Sequence, residues 1–306
     1  NQRLKVFLTN SLEAPKTEDI NLFMAQWLSQ EAVEADVVKT ETPVMVVAGN
    51  PPYAVSSTNK GKWIQNLIAD YKKDLNERKI NLDDDYIKFI RYGQHFIDKN
   101  GSGILAYISN NSFLDGVTHR QMRKNLLESF DKVYILDLHG NAKKKEVCPG
   151  GSPDQNVFDI MQGVSINIFV KTGKKKKNEL GEVFHFDLYG KREEKYGFLN
   201  KNYFNEIKWK KLDFTDPYYF FVPKNFENIN NYEKGLSVKD LFLKYSSGIH
   251  TGKDHLVIDF EKKDLYNRIS DVMSNQDETY VRNKYNLKDT SGWTLNKFKS
   301  TDNDIL

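Results

Sequence analysis

The sequence predicts an α/β protein with a mainly parallel sheet, followed by a second region of α+β character. Three observations carry this. Short, nearly continuous apolar runs such as Val44-Met45-Val46-Val47-Ala48 and Ile104-Leu105-Ala106-Tyr107-Ile108 have the length and composition of strands buried on both faces. They alternate with stretches of helical spacing, the pattern of a sheet covered by helices. After about Gly190 the texture changes: aromatics cluster, Asn, Gly and Pro become frequent, and helical stretches shorten. A length of 306 residues suits two domains. We place the first at residues 1–196 and the second at 197–306.

The elements are read in order as follows. Leu4 to Thr9 is short and alternating, so it reads as a strand. Glu31 to Lys39 reads as a helix, and Val44 to Ala48 as a buried strand that stops at Gly49. Trp63 to Lys73 has helical spacing through Ile64, Leu67, Ile68 and Tyr71. Tyr86 to Lys99 is a helix whose stripe includes Ile87, Ile90, Phe96 and Ile97. Gly101 follows it where a helix-ending glycine belongs. Ile104 to Ile108 is a strand, Val117 to Phe130 a helix, and Asp131 to Leu138 a strand. A loop rich in Lys, Gly and Pro spans Gly140 to Gln155, and strands follow at Val164 to Val170 and Val183 to Leu188. Beyond these, Val238 to Tyr245 is a short helix in the second region.

Composition narrows the class. A hydrophobic fraction of 39% and a charged fraction of 28% exclude collagen-like, low-complexity and wholly disordered chains. No apolar run approaches the ~20 residues that span a bilayer, and the first residues lack a secretory signal, so no membrane partner is expected. The single cysteine, Cys148, excludes an internal disulfide and makes a reducing, cytoplasmic setting the expectation. The net charge of +3 does not announce a nucleic-acid binder. The basic blocks Lys143-Lys144-Lys145 and Lys174 to Lys177 read first as solvated loops and second as phosphate contacts. The six histidines show no metal-ligand spacing, so no metal site is expected.

The sharpest chemical feature is Asn50-Pro51-Pro52-Tyr53, directly after a predicted strand. Ligands of open α/β sheets bind beyond the carboxyl ends of strands. A polar-proline-proline-aromatic turn there is rigid and presents acceptors, because proline has no backbone N–H. The Asn50 amide oxygen and the Pro51 carbonyl suit the two N–H bonds of an exocyclic amine. Accepting both draws that nitrogen toward tetrahedral geometry and frees its lone pair for attack. Tyr53 suits stacking on a base face, worth about 1–3 kcal/mol.

At these residues the chain resembles the amino-methyltransferases, and more closely the gamma-type N6-adenine DNA methyltransferases. It is most similar to the methylase part of single-chain type ISP and type IIG restriction-modification enzymes. Further segments carry the likeness: Leu8 to Glu13 before the motif, Gly103 to Leu114, Asp154 to Ile160 leading into Gly163 to Ile166, and Ser247 to Asp254. The resemblance implies the C-terminal part of a Rossmann-like methyltransferase sheet followed by an α+β target-recognition region. It implies methylation of the N6 amine of adenine in DNA, with S-adenosylmethionine as cofactor, double-stranded DNA as partner and base flipping as the route. Asn50, Pro51, Pro52 and Tyr53 take the catalytic positions, with Tyr53 also binding substrate. Asn10 falls near where the family contacts its cofactor. Phe169 falls near a second stacking aromatic, although strand alternation suits core packing equally.

The chain also departs from the family. A glycine-rich turn after the first strand and an acid after the second are missing upstream of Asn50. Gly101-Ser102-Gly103 precedes its strand, and Gly150-Gly151 lies in a long loop, so neither replaces that turn. The expectation is a fragment, inactive alone, whose partner is a missing N-terminal part of the same polypeptide. Nuclease or helicase domains fused elsewhere stay open. The alternatives are a protein glutamine N-methyltransferase, whose amide presents the same two N–H groups, and a non-catalytic DNA-binding module. The long region after Gly197 argues against the former.

Overall fold

The computed structural model describes residues 5–14, 26–54, 57–77, 82–176, 178–242, 251–274, 277–290 and 292–300. The chain packs as two compact units, Asn1–Phe226 and Glu227–Leu306.

The first unit is built on a six-stranded sheet. Its strands are β1 (Val46–Gly49), β2 (Gly103–Asn110), β3 (Lys132–Asp137), β4 (Val164–Lys171), β5 (Glu182–Asp187) and β6 (Lys210–Leu212), ordered β1-β2-β4-β3-β5-β6. β1 pairs parallel with β2, and β3 with β5. β4 is antiparallel to both β2 and β3, and β6 is antiparallel to β5. β1, β2, β3 and β5 therefore run one way, and their carboxyl ends line one edge of the sheet. The expected parallel sheet is thus mixed in its pairings, because β4 returns between β2 and β3.

Helices α1 (Gln26–Thr40), α2 (Lys62–Lys72), α3 (Asp85–Asn100) and α4 (Arg120–Ser129) accompany the sheet. The apolar stripe of α3 is buried through Ile87, Ile90 and Ile97, and Gly101 ends the helix in the left-handed region at φ 83°. These side chains join Leu105, Val133 and Val183 in the main core. On β3 and β5, aromatics gather in a second cluster. Tyr134 stacks on Phe184 with ring centroids 4.9 Å apart, and Phe204 and Trp209 meet Tyr134 edge-on. Phe186 stacks at 5.5 Å on Phe198 of helix α5 (Arg192–Lys201). Phe198, Phe204 and Trp209, from the aromatic-rich stretch after Gly190, thus cover the sheet.

Two predicted strands are corrected. Residues 5–10 take no place in the sheet, and Val6 and Leu8 are 78% and 90% exposed. Alternation alone does not hold a strand that lacks a neighbour. The run Val44 to Ala48 does contain a strand, but β1 lies at the sheet edge with β2 as its one neighbour among the described residues, so its pattern is open, not buried on both faces. Met45 and Val46 are each 62% exposed. An apolar edge with free backbone groups invites pairing with another chain. The 306-residue chain is expected to associate with rising concentration in sedimentation velocity, and Val46→Lys to suppress it. A wild-type chain that stays monomeric throughout would contradict this.

The second unit holds helices α6 (Ile229–Glu233), α7 (Val238–Leu241), α8 (Asp254–Val257), α9 (Lys262–Met273), α10 (Glu278–Lys284) and α11 (Leu295–Lys299). α8 to α11 and the turn at Leu287 supply a small core of Leu256, Val272, Val281, Leu287 and Leu295. Of the region expected to be α+β, residues 197–306, the part before Glu227 adds strand β6 to the sheet of the first unit, and the second unit shows, among its described residues, these helices and one isolated Thr290–Trp293 bridge. The end of the predicted Val238 to Tyr245 helix and the start of the Ser247 to Asp254 segment lie outside the described residues. No helix among the described residues is long and apolar enough to cross a membrane.

Candidate active site

Every predicted catalytic residue sits at the carboxyl edge of the sheet. Asn50 follows β1 directly and is exposed, Pro51 is buried, Pro52 is exposed and Tyr53 is half-buried. The chain beyond the motif is fastened to the start of α3. Ala54 accepts the Asp85 N–H at 3.3 Å, and Ser57 donates its N–H to the Asp83 carbonyl at 3.1 Å. The fully buried Lys88 ammonium donates to the Asn59 carbonyl at 2.6 Å and pairs with Asp83 at 2.8 Å. Fixed at both ends, the motif is held without relying on its own side chains, which leaves Asn50 available to a ligand.

The Tyr53 ring packs among Leu136, Leu138, Val157 and Val164. Its hydroxyl is buried without a hydrogen-bond partner, and burial pushes its pKa up to about 12. A buried hydroxyl left unpaired is costly, so this oxygen marks a place where a ligand or water completes the site. The second ring beside the motif is Phe158, whose centroid lies 5.9 Å from that of Tyr53, edge to face. Sequence reasoning missed it, although Phe158 lies in the Asp154 to Ile160 segment that carries part of the family likeness.

The other two candidates divide. Asn10 stands by the same loop: its amide donates to Asn59 Oδ1 at 3.0 Å and to Glu13 Oε1 at 3.1 Å, and its oxygen accepts the Leu12 N–H at 3.0 Å. Its side chain is therefore engaged in a turn. Phe169 is fully buried in the main core, 5.3 Å from Phe130. On antiparallel β4 it faces Leu105 of β2 in register, whereas Val164 faces Asn110 at the site end. The structure does not bring Phe169 to the motif. The core alternative is the one its position supports.

Further along the same edge lies a charged cavity of about 330 Å³, lined in part by Asn111, Asp137, His139, Glu146, Asp187 and Tyr189. His139 adopts φ 52°, hydrogen-bonds Glu146 Oε1 at 2.9 Å through Nδ1 and Asp187 Oδ1 at 2.8 Å through Nε2, and stacks on Tyr189 at 3.8 Å. Burial alone would lower its pKa, but the hydrogen bonds to Asp187 and Glu146 and the charge of Asp137 outweigh it and raise the value to about 10. Burial also opposes Glu146 and Asp187, yet the imidazolium holds both below the ordinary range; Asp137 is pushed up by burial. Asp137, His185 and Asp187 bring ligating atoms within 4.8 Å of one another. The carboxylates are already committed, Asp187 to His139 and Asp137 to the Asn111 amide at 2.9 Å. We therefore assign the group to the charge cluster of His139. Strand register creates it, and residue spacing could not reveal it.

A histidine whose folded pKa exceeds its unfolded value of 6.5 contributes stability that is complete below about pH 6.5 and is lost as the pH rises through about 10. The slope per proton is at most about 1.4 kcal/mol per pH unit. Replacing His139 with Gln is expected to flatten the denaturant-measured stability curve over that interval. An unchanged slope would contradict the assignment.

Comparisons with known proteins match two separate stretches of the chain. Residues 8–143 match the family described as Eco57I restriction-modification methylase, and residues 240–304 match the Type ISP C-terminal specificity domain. A comparison with curated proteins finds no match. Among solved structures, the ATP-dependent Type ISP restriction-modification enzyme LlaBIII bound to DNA is similar over 87% of this chain and 18% of its own, with 24% identity and a TM-score of 0.64. A nuclease-deletion mutant of the Type ISP enzyme LlaGI, in complex with a DNA substrate mimic, is similar over 87% and 22%, with 22% identity and a TM-score of 0.61. The DrdV-DNA complex is similar over 84% and 28%, with 23% identity and a TM-score of 0.59. These likenesses support the fold, and the chain spans less than a third of each of those proteins. Residues 8–143 are thus similar to an Eco57I restriction-modification methylase, and residues 240–304 to a Type ISP C-terminal specificity domain.

Proposed function

We propose that the chain forms the catalytic half and the start of the target-recognition region of a DNA adenine-N6 methyltransferase within a restriction-modification enzyme. The observation that carries this is the exposed Asn50 and the rigid Pro51-Pro52 turn at the carboxyl end of β1, flanked by the two rings of Tyr53 and Phe158. A flipped adenine fits that combination: its N6 amine needs two acceptors, and its faces need aromatic contact. Asn50 Oδ1 and the Pro51 carbonyl accept the two amine N–H bonds and localise the nitrogen lone pair. Tyr53 and Phe158 hold the ring, and the orphan Tyr53 hydroxyl offers a hydrogen bond to the bound nucleotide or its water. No covalent protein intermediate is needed, so positioning supplies much of the acceleration.

S-adenosylmethionine is the methyl donor we propose, and when bound it supplies an electrophilic methyl group. The turns after β1, β2, β3 and β5 begin Asn50-Pro51, Asn111-Ser112, Leu138-His139 and Leu188-Tyr189, and none is a Gly-x-Gly turn. The Asn10 side chain is engaged by Leu12, Glu13 and Asn59. These residues do not make a cradle for the methionine part of the donor, and we assign none of them to it. The functional division is proposed at 196/197, with residues 197–226 packed in the first unit as the approach to the recognition region. Double-stranded DNA is the proposed partner.

The full polypeptide, incubated with S-adenosylmethionine and DNA, is expected to yield N6-methyl-2′-deoxyadenosine on nucleoside mass spectrometry. Methylglutamine in a protein substrate, with unmodified DNA, would favour the glutamine methyltransferase reading instead.

A further inference from the structure

We propose that helix α5 is a clamp that positions Phe158 against Tyr53, with Arg192, Lys195 and Tyr196 as positioning residues. This rests on the reading of the Asn50–Tyr53 edge as an adenine site. The observation is a run of four consecutive carbonyls, each gripped by a side chain from this one helix. Lys195 Nζ donates to the Gln155 carbonyl at 2.7 Å, and Arg192 Nε to that of Asn156 at 2.8 Å. The Tyr196 hydroxyl donates to the Val157 carbonyl at 2.5 Å, and Arg192 Nη2 to that of Phe158 at 3.0 Å. Arg192 also reaches Asp159 Oδ1 at 2.7 Å. A loop entering a central strand could satisfy those groups with water, because it lies at the surface. Fixing all four with three side chains of one helix sets where the Phe158 ring stands.

The anchor of the clamp is a fully buried ion pair. Lys195 and Asp154 meet at 2.8 Å with both side chains 0% exposed. The ammonium also donates to the Leu138 carbonyl at 2.6 Å, beyond β3. The carboxylate accepts the Gly140 N–H at 2.6 Å and the Gly190 N–H at 2.8 Å. One pair thus ties together the turn after β3, the turn after β5 and the loop that enters β4. A buried pair is weak evidence for stability, since an apolar replacement often serves as well. Its use in joining three loops at the site end of the sheet is one of geometry. Close packing follows from it: Gly140 at φ 78° lies where an added Cβ would stand 2.4 Å from the Asn156 Cα. Asn156 in turn steers the ring, accepting the Phe158 N–H at 2.8 Å and donating to the Gly140 and Gln162 carbonyls.

Arg192 and Tyr196 are partly exposed, so their variants should fold. The test uses the full polypeptide carrying Arg192→Ala and Tyr196→Phe together, with Ile68→Val as a core control. Hydrogen exchange is read at residues 154–163, and methyl transfer as separate kcat and KM values. Emission of 2-aminopurine placed at the mapped target adenine is the third reading. The double variant is expected to exchange faster in that loop and not in β2 or β3. It is expected to lose about 10- to 100-fold in kcat with the KM for DNA little changed. Its 2-aminopurine emission should rise, because loosened stacking quenches less. The control should match wild type in all three. Unchanged loop exchange, or faster exchange with unchanged kcat and emission, would overturn the clamp. A wild-type enzyme that makes no N6-methyladenine would overturn the adenine reading alone, and the exchange data would still decide whether α5 holds the loop.

Discussion

Replacing Asn50 with Ala is expected to lower methyl transfer by the full polypeptide about 10²- to 10³-fold, the usual cost of removing one preorganised polar contact to a reacting group. The side chain is exposed and belongs to none of the core clusters, so the variant should melt with wild type and retain DNA affinity. The loss should appear in kcat, because the Asn50 oxygen matters most when the amine pyramidalises. Asn50→Asp keeps the acceptor geometry and should retain more rate than Ala. An Ala variant with wild-type kcat would remove the motif from the chemistry.

The second large effect concerns stability. Arg123 of α4 is fully buried, and burial lowers its pKa to about 9. It donates to the carbonyls of Phe113 and Gly116 at 2.7 and 2.8 Å, and to Tyr218 and Tyr219 at 2.9 Å each. The guanidinium thereby fastens the turn after β2 to the chain at 218–219, and Phe220 lies 5.1 Å from it as a cation–π partner. Arg123→Met preserves bulk but strands these carbonyls, at roughly 1–3 kcal/mol for each one left buried and unpaired. Against a typical domain stability of about 5–15 kcal/mol, the first unit should melt roughly 10–20 °C lower or fail to fold. Arg123→Lys should fall between, because an ammonium cannot fork to four carbonyls. A Met variant that melts within about 3 °C of wild type would contradict this account.

Much of the fold was legible where a residue type has one dominant use. Gly101 ends α3 in the left-handed region as expected, and the apolar runs at β2 to β5 became strands. Asn50 to Tyr53 lies where a turn beyond a parallel strand belongs. What stayed hidden depends on neighbours. Val46 is as apolar as a central strand residue, yet exposure is decided by what pairs beside it. Phe169 and Phe158 are equally aromatic in the sequence, and antiparallel β4 sends the first into the core while its preceding loop brings the second to Tyr53. Lys195, within Arg192-Glu193-Glu194-Lys195, reads as a solvated charge, and only the fold encloses it with Asp154. The cluster around His139 likewise needs β3 and β5 in register, because Asp137 and Asp187 are 50 residues apart and face each other across the pairing.

The central claim is that the Asn50–Tyr53 edge acts on the N6 amine of adenine. The most direct measurement is single-molecule sequencing of genomic DNA from cells that express the full polypeptide, either wild type or Asn50→Ala. The account predicts N6-methyladenine at one recurring sequence in the wild-type cells and none above background in the variant. Methylation that persists with Asn50→Ala, or that falls on cytosine, would contradict it.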